Sequence, residues 1–148
     1  MAEQTRDLAQ RLATLLEPGD FVALIGPLGA GKTCFVQGLA RGLAVEGAVT
    51  SPTFVLMRLH RGDRPMCHVD AYRLHGAAEL LDLGLDDWCG ETIVAVEWAD
   101  QVAAALPDER LEVILEYAGE GRRMLLRGIG PRPAQIVERM RNDEPAGD

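Results

Sequence analysis

The chain has 148 residues, with 15 Lys and Arg against 23 Asp and Glu and a formal net charge of −8. Hydrophobic residues make up 47% and charged residues 26%, ordinary values for a folded domain, so wholesale disorder is excluded. The acidic balance speaks against an autonomous nucleic-acid binder, DNA included, which would carry a basic footprint. No apolar run approaches the roughly 20 residues of a membrane helix. Cys34, Cys67 and Cys89 are odd in number and far apart, which argues against a disulfide framework or zinc site and fits a reducing compartment. The opening segment, Met1 to Leu12, carries Glu3 and Asp7 and lacks the apolar stretch of a signal peptide. A single cytoplasmic domain, without membrane contact, is expected.

In chain order, Leu8, Leu12, Leu15 and Leu16 stand at helical spacing and predict a helix over Thr5 to Leu16, with Thr5 as its N-cap. Pro18-Gly19-Asp20 turns the chain into an apolar run, Phe21 to Gly26, that reads as a buried strand. Lys32 to Leu43 puts Phe35, Val36, Leu39 and Leu43 on one helical face. Phe54 to His60 and Met66 to Asp70 read as strands separated by a turn at Gly62-Asp63. A short helix follows at Glu79 to Leu83, then a buried strand at Thr92 to Glu97 and a short helix at Ala99 to Leu106, stopped by Pro107. Leu111 to Tyr117 and Arg122 to Ile129, joined by Ala118-Gly119-Glu120-Gly121, predict an antiparallel hairpin. Pro133 to Arg141 closes the chain as a helix, and residues 142–148 are expected to be a disordered tail. Strands alternating with helices predict one α/β domain over residues 1–141: a mixed β-sheet flanked by helices, ending in the hairpin.

Gly26-Pro27-Leu28-Gly29-Ala30-Gly31-Lys32-Thr33 matches G-x-x-x-x-G-K-[ST], and it lies where that motif functions, between a buried strand and a helix. The glycines let backbone N–H groups turn inward around an anion, and the helix N-terminus adds its own donors and positive dipole end. Lys32 can reach the β- and γ-phosphates, and the Thr33 hydroxyl is a natural Mg²⁺ ligand. A glycine-rich turn with a solvent-facing lysine is the plainer reading. It is the weaker one, because Lys32 is the chain's single lysine and every other basic residue is arginine. Nucleotide binding follows, and with it a P-loop NTPase-like fold for the mixed sheet. Without nucleotide, the Lys32 ammonium is expected to face an open, solvated loop.

Such a site needs an acid near the metal and a group to orient water. Asp70 and Glu97 each close an apolar strand and should emerge at its carboxyl edge, where open α/β sheets bind ligands. Spacing does not say which of them holds the metal; Glu97 follows the longer apolar run and is the better Walker-B analogue. Trp98 packs over the nucleotide, forms a partner surface, or belongs to the core. Ser51-Pro52-Thr53 reads equally as a γ-phosphate sensor or an ordinary turn. His68 reads as a buried core histidine rather than a catalyst, and Cys34 as a packing residue.

GPLGAGKT, then SPTF (Ser51 to Phe54), HVDAYRL (His68 to Leu74) and VEW (Val96 to Trp98), taken together, resembles the bacterial TsaE family. The resemblance runs in order and spacing from Thr5 to Tyr117. Pro27 stands where the family usually has Asp, and Cys34 where it usually has Thr; neither is an obligatory phosphate-loop position. The resemblance implies a small ATPase needed to make threonylcarbamoyladenosine in tRNA. It implies that Thr33 and Glu97 hold Mg²⁺, and that Asp70 and Trp98 serve hydrolysis or its coupling to a partner. It implies ATP and ADP as ligands, with adenine near Glu3 to Thr5 and the segment after Trp98. The implied partner is the heterodimer of TsaD and TsaB, with tRNA reached only through that complex. Two other readings share the phosphate loop: a small-molecule kinase, whose lid would have to come from Arg58, Arg61 and Arg64, and a nucleotide sensor without significant turnover.

Overall fold

β1 (Phe21–Ile25) lies near the middle of a six-stranded sheet whose order is β2-β3-β4-β1-β5-β6, where β2 is Met57–His60, β3 Met66–Asp70, β4 Ile93–Glu97, β5 Arg110–Ala118 and β6 Gly121–Ile129. This computed structural model describes residues 2–27, 30–45, 57–72, 76–82, 84–85 and 90–142. β3, β4, β1 and β5 run parallel, while β2 and β6 pair antiparallel on the two edges. The expected mixed sheet with its closing hairpin is therefore present.

Alternation along the strands divides the core in two. Val22 and Leu24 of β1, Ile93 and Ala95 of β4, and Leu111, Val113 and Leu115 of β5 face α1 (Ala2–Ala13), α2 (Lys32–Gly42) and α4 (Pro131–Asn142). Phe21, Ala23, Cys67, Val69, Val94 and Val96 face the opposite way, onto Leu80 of α3 (Ala77–Asp82) and Val102 of a 3₁₀ helix at Ala99–Ala105. A strand buried on both faces has no polar side to alternate with, which is why β1 and β4 read as unbroken apolar runs. The predicted stripe of Phe35, Val36, Leu39 and Leu43 is fully buried, as are Leu12 and Leu16. Each such leucine or phenylalanine contributes about 1.5–3 kcal/mol of burial.

α1 and α2 pack more closely than side chains ordinarily permit. A Cβ on Gly38 would overlap the carbonyl oxygen of Arg6 and stand 2.7 Å from the Ala9 Cβ. That contact seats α2, and with it the loop that precedes it, against the first helix.

Several boundaries differ from expectation. α1 starts at Ala2, so Thr5 lies inside the helix and is not its N-cap. Ala, Glu and Gln upstream are strong helix formers, and Glu3 in the first turn suits the dipole. α3 and α4 each begin two residues early, α4 at Pro131, whose missing N–H costs nothing in a first turn. The segment after β4 is 3₁₀ rather than α, kinked at Val102. The first residues of the predicted strand before Met57, the helix end at Leu83 and the tail at 143–148 lie outside the described residues. Among the described residues no helix is long and apolar enough to cross a membrane.

Candidate functional site

Gly31 caps α2 with φ 107°, a conformation that side chains rarely adopt, and no side chain bonds to the first-turn N–H groups. The Phe35 N–H closes the first helical turn on the Gly31 carbonyl at 2.9 Å. Before it, the Ala30 N–H donates to the Pro27 carbonyl at 3.2 Å, and Ala30 itself is buried. Gly26 and Pro27 enter the loop directly from β1; Leu28 and Gly29 lie outside the described residues. The helix start thus keeps its donors and dipole available to an anion.

Lys32 departs from expectation. It is buried, its ammonium donates to the carbonyl oxygens of Gly26 at 2.5 Å and Pro27 at 2.8 Å, and it lies 3.8 Å from the Trp98 ring centroid. The ammonium is satisfied by the loop's own carbonyls rather than by solvent. Burial pulls its pKa down, and the carboxylates of Glu97, Asp100 and Asp70 oppose that shift.

Register assembles the acidic side of the site. Asp70 and Glu97 are paired directly across β3 and β4. By strand alternation they share a face with Met66, His68, Ile93 and Ala95, the face that looks onto α2. Glu97 is buried; its Oε1 accepts from the Thr33 hydroxyl at 3.2 Å and its Oε2 lies 2.6 Å from His68 Nε2. Glu97 therefore emerges beneath α2 rather than into solvent. Asp70 is half-buried, and its Oδ1 accepts from the Tyr72 N–H at 3.0 Å.

Trp98 follows in the left-handed region at φ 61°, ψ 38°, held by a 3.0 Å bond from the Gln101 N–H to its carbonyl. This turn brings its half-buried ring back over Lys32 and against Tyr72, centroid to centroid 4.9 Å. Thr5 is buried near the loop, its Cγ2 4.0 Å from the position a Cβ on Gly31 would take. Glu3 sits on the exposed α1–α2 seam, where the Arg41 guanidinium, 2.8 Å away, holds its carboxyl below the usual range. The structure thus joins Lys32, Thr33, Asp70, Glu97, Trp98 and Thr5 around one loop, whereas Glu3 pairs with Arg41 in the last turn of α2, at the other end of that helix.

Two participants were missed by sequence reasoning. His68 is buried as expected, yet it contacts the central acid, and Tyr72 partners Trp98. The i, i+2 spacing of His68 and Asp70 was the available signal, since alternation puts both on one face. Ser51, Pro52, Thr53, Phe54 and Arg73 lie outside the described residues, as does Cys89.

Comparison with known proteins gives a consistent answer. The family model described as threonylcarbamoyl adenosine biosynthesis protein TsaE matches residues 1–125. The tRNA threonylcarbamoyladenosine biosynthesis protein TsaE of Streptomyces coelicolor is 46% identical over 136 residues, covering 86% of this chain and 92% of the relative. Its namesake in Bacillus subtilis is 38% identical over 141 residues, covering 93% and 88%. The crystal structure of YdiB from Bacillus subtilis superposes with a TM-score of 0.83 at 34% identity, over 97% of this chain and 92% of that one. With the phosphate-loop turn, the acid beneath it and these relatives in agreement, the chain belongs to the TsaE family of tRNA threonylcarbamoyladenosine biosynthesis.

Proposed function

We propose that this chain is a Mg²⁺-dependent ATPase that supports threonylcarbamoyladenosine formation in tRNA by acting on the TsaD–TsaB complex. The observation that carries the reading is the 3.2 Å contact between the Thr33 hydroxyl and the Glu97 carboxylate, joining the start of α2 to the end of β4 below the phosphate loop. Hard oxygen donors suit Mg²⁺, so the donor set fits the ion. Thr33 and Glu97 would hold it, and when bound it would neutralise phosphate charge. Asp70, across the register from Glu97 on the same face, would orient water.

The loop from Gly26 through Leu28, Gly29 and Gly31 supplies N–H donors to the phosphates, and Lys32 exchanges its carbonyl partners for phosphate oxygens. Thr5, buried beside Gly31, would stand near the bound nucleoside. Trp98 and Tyr72 form the site's aromatic rim, with Tyr72 54% exposed, and a protein partner could read the phosphate state there. In this reading tRNA is reached through TsaD–TsaB, and the chain works in the cytoplasm.

The test is phosphate release from Mg²⁺–ATP with and without purified TsaD–TsaB. Weak turnover alone and a rise with the heterodimer are expected, because among the described residues no arginine contacts Lys32, Thr33 or Glu97 to supply transition-state charge. Turnover unaffected by the heterodimer over a wide concentration range would remove the coupling. Transfer of the γ-phosphate to a small metabolite would instead indicate a kinase, and tight nucleotide binding with no turnover a sensor.

A further inference from the structure

His68 and Glu97 form a contact that the ATPase reading does not use. The two side chains are 0% and 4% exposed, and His68 Nε2 lies 2.6 Å from Glu97 Oε2. The other carboxylate oxygen is the one that accepts from Thr33. An ionised carboxylate offers acceptors only, so the facing ring nitrogen has to carry the hydrogen. His68 Nδ1 is buried, with no hydrogen-bond partner among the described residues. Geometry therefore puts a ring hydrogen on Nε2, between the ring and Glu97 Oε2.

We propose that His68 is a positioning residue for the phosphate site: its Nε2–H fixes one oxygen of Glu97 and so presents the other to Thr33 and to a divalent cation. The inference rests on the ATPase reading and deepens it. β3 supplies the ring from the strand next to β4, where His68 is in register with Ala95, one step along the same face from Glu97. A carboxylate on a flexible side chain has two equivalent oxygens and a freely turning end group. Pinning Oε2 removes that freedom and leaves Oε1 committed. Hydrogen bonds to ligating carboxylates act this way, and removing them commonly costs tenfold or more in metal affinity.

The test uses the full chain and a fluorescent N-methylanthraniloyl derivative of ATP, titrated with and without MgCl₂. Gln places an amide N–H where Nε2 stands, whereas Asn places it near Nδ1, so His68→Gln restores the contact and His68→Asn does not. Wild type and His68→Gln are expected to bind more tightly with Mg²⁺. His68→Asn and His68→Leu should lose about tenfold of that gain while metal-free binding stays unchanged. An equal Mg²⁺ response in all four proteins overturns the proposal, and so does a His68→Gln protein that behaves as His68→Asn. A wild-type protein with no Mg²⁺ response overturns the ATPase reading itself, and the inference with it. Should the variants lose their cooperative thermal unfolding, ¹⁵N NMR of the wild-type ring decides instead. A hydrogen on Nε2 supports the proposal, and an Nε2 without one overturns it.

Discussion

The Lys32 ammonium lies 3.8 Å from the centroid of the Trp98 ring, and Trp98 reaches it by adopting φ 61°, a left-handed conformation rare for so bulky a residue. Such a conformation costs about 1–3 kcal/mol and persists only where its surroundings impose it. Here the immediate gain is a cation–π contact to the one lysine of the phosphate loop, worth about 0.5–2 kcal/mol. In the proposed ATPase, phosphate and indole would compete for the same ammonium. The rim residue and the loop residue are linked before any ligand arrives.

That link can be read chemically, because Lys32 is the chain's single lysine and an amine reagent has few other targets. Burial lowers the Lys32 pKa, which favours the reactive neutral amine, but the carbonyls of Gly26 and Pro27 and the Trp98 ring block access. Labelling of Lys32 in the nucleotide-free protein should therefore be slow compared with the α-amino group. Trp98→Ala should accelerate it severalfold, and saturating Mg²⁺–ATP should suppress it in both proteins. Peptide mass spectrometry locates the adduct; equal Lys32 labelling in wild type and Trp98→Ala would mean that the ring shields nothing.

Thr33→Ala and Glu97→Gln separate chemistry from folding. Each removes oxygen chemistry at the 3.2 Å contact without opening a large cavity, since Glu97→Gln is isosteric and Thr33 is only half-buried. Both should lower Mg²⁺-dependent hydrolysis by tenfold or more, with partner present, and move the thermal midpoint by no more than a few degrees. Glu97→Gln should still bind ATP. Wild-type turnover in the glutamine variant would remove Glu97 from the metal.

What the sequence made legible follows from local physics. The phosphate loop could be read because turn, helix start and lysine are contiguous, and β1 and β4 could be read because two-sided burial leaves unbroken apolar runs. The burial of Lys32 and its seat under Trp98 were not legible, because they depend on a backbone reversal at a single residue that no pattern marks. The His68–Glu97 contact joins residues 29 apart and needs the strand order β3-β4, a long-range fact that periodicity does not carry. The start of α1 was misplaced for a simpler reason. Thr5 resembles a cap locally, yet three helix formers precede it.

Gly38→Ala tests the helix seam. A Cβ there would overlap the Arg6 carbonyl and approach the Ala9 Cβ to 2.7 Å, so α1 and α2 would have to separate. An exposed helical Gly→Ala change ordinarily stabilises by up to about 1 kcal/mol. Here overpacking should win and destabilise by about 1–3 kcal/mol. Urea unfolding measures the sign, and a stabilised variant would mean the helices do not meet as closely as described.

The last prediction concerns acid stability and a group remote from the phosphate loop. Glu112 on β5 is nearly buried, directly opposite Arg127 on β6, and accepts from Arg110 Nε and Arg127 Nε at 2.9 Å each. Burial works against its charged form, but the hydrogen bonds from Arg127 and Arg110 outweigh it and hold the carboxyl below the ordinary glutamate value. The folded carboxyl thus gives up its charge at lower pH than the unfolded one. Its contribution to stability is complete above about pH 4.5 and is lost as pH falls through the lower folded value. Glu112→Gln should therefore cost about 1–3 kcal/mol at pH 7, where the charge-assisted bonds are lost. The cost should shrink as pH falls through the lowered folded value, because the wild type then loses the same charge. Arg127 is 63% exposed and can be removed without a cavity. Arg127→Ala should accordingly bring the acid transition of the fold to higher pH, with a smaller cost at pH 7 because Arg110 remains. Urea titrations of the three proteins between pH 7 and pH 3 read all of this at once. Parallel stability curves for wild type and Glu112→Gln across that range would show that the carboxyl is not the titrating group.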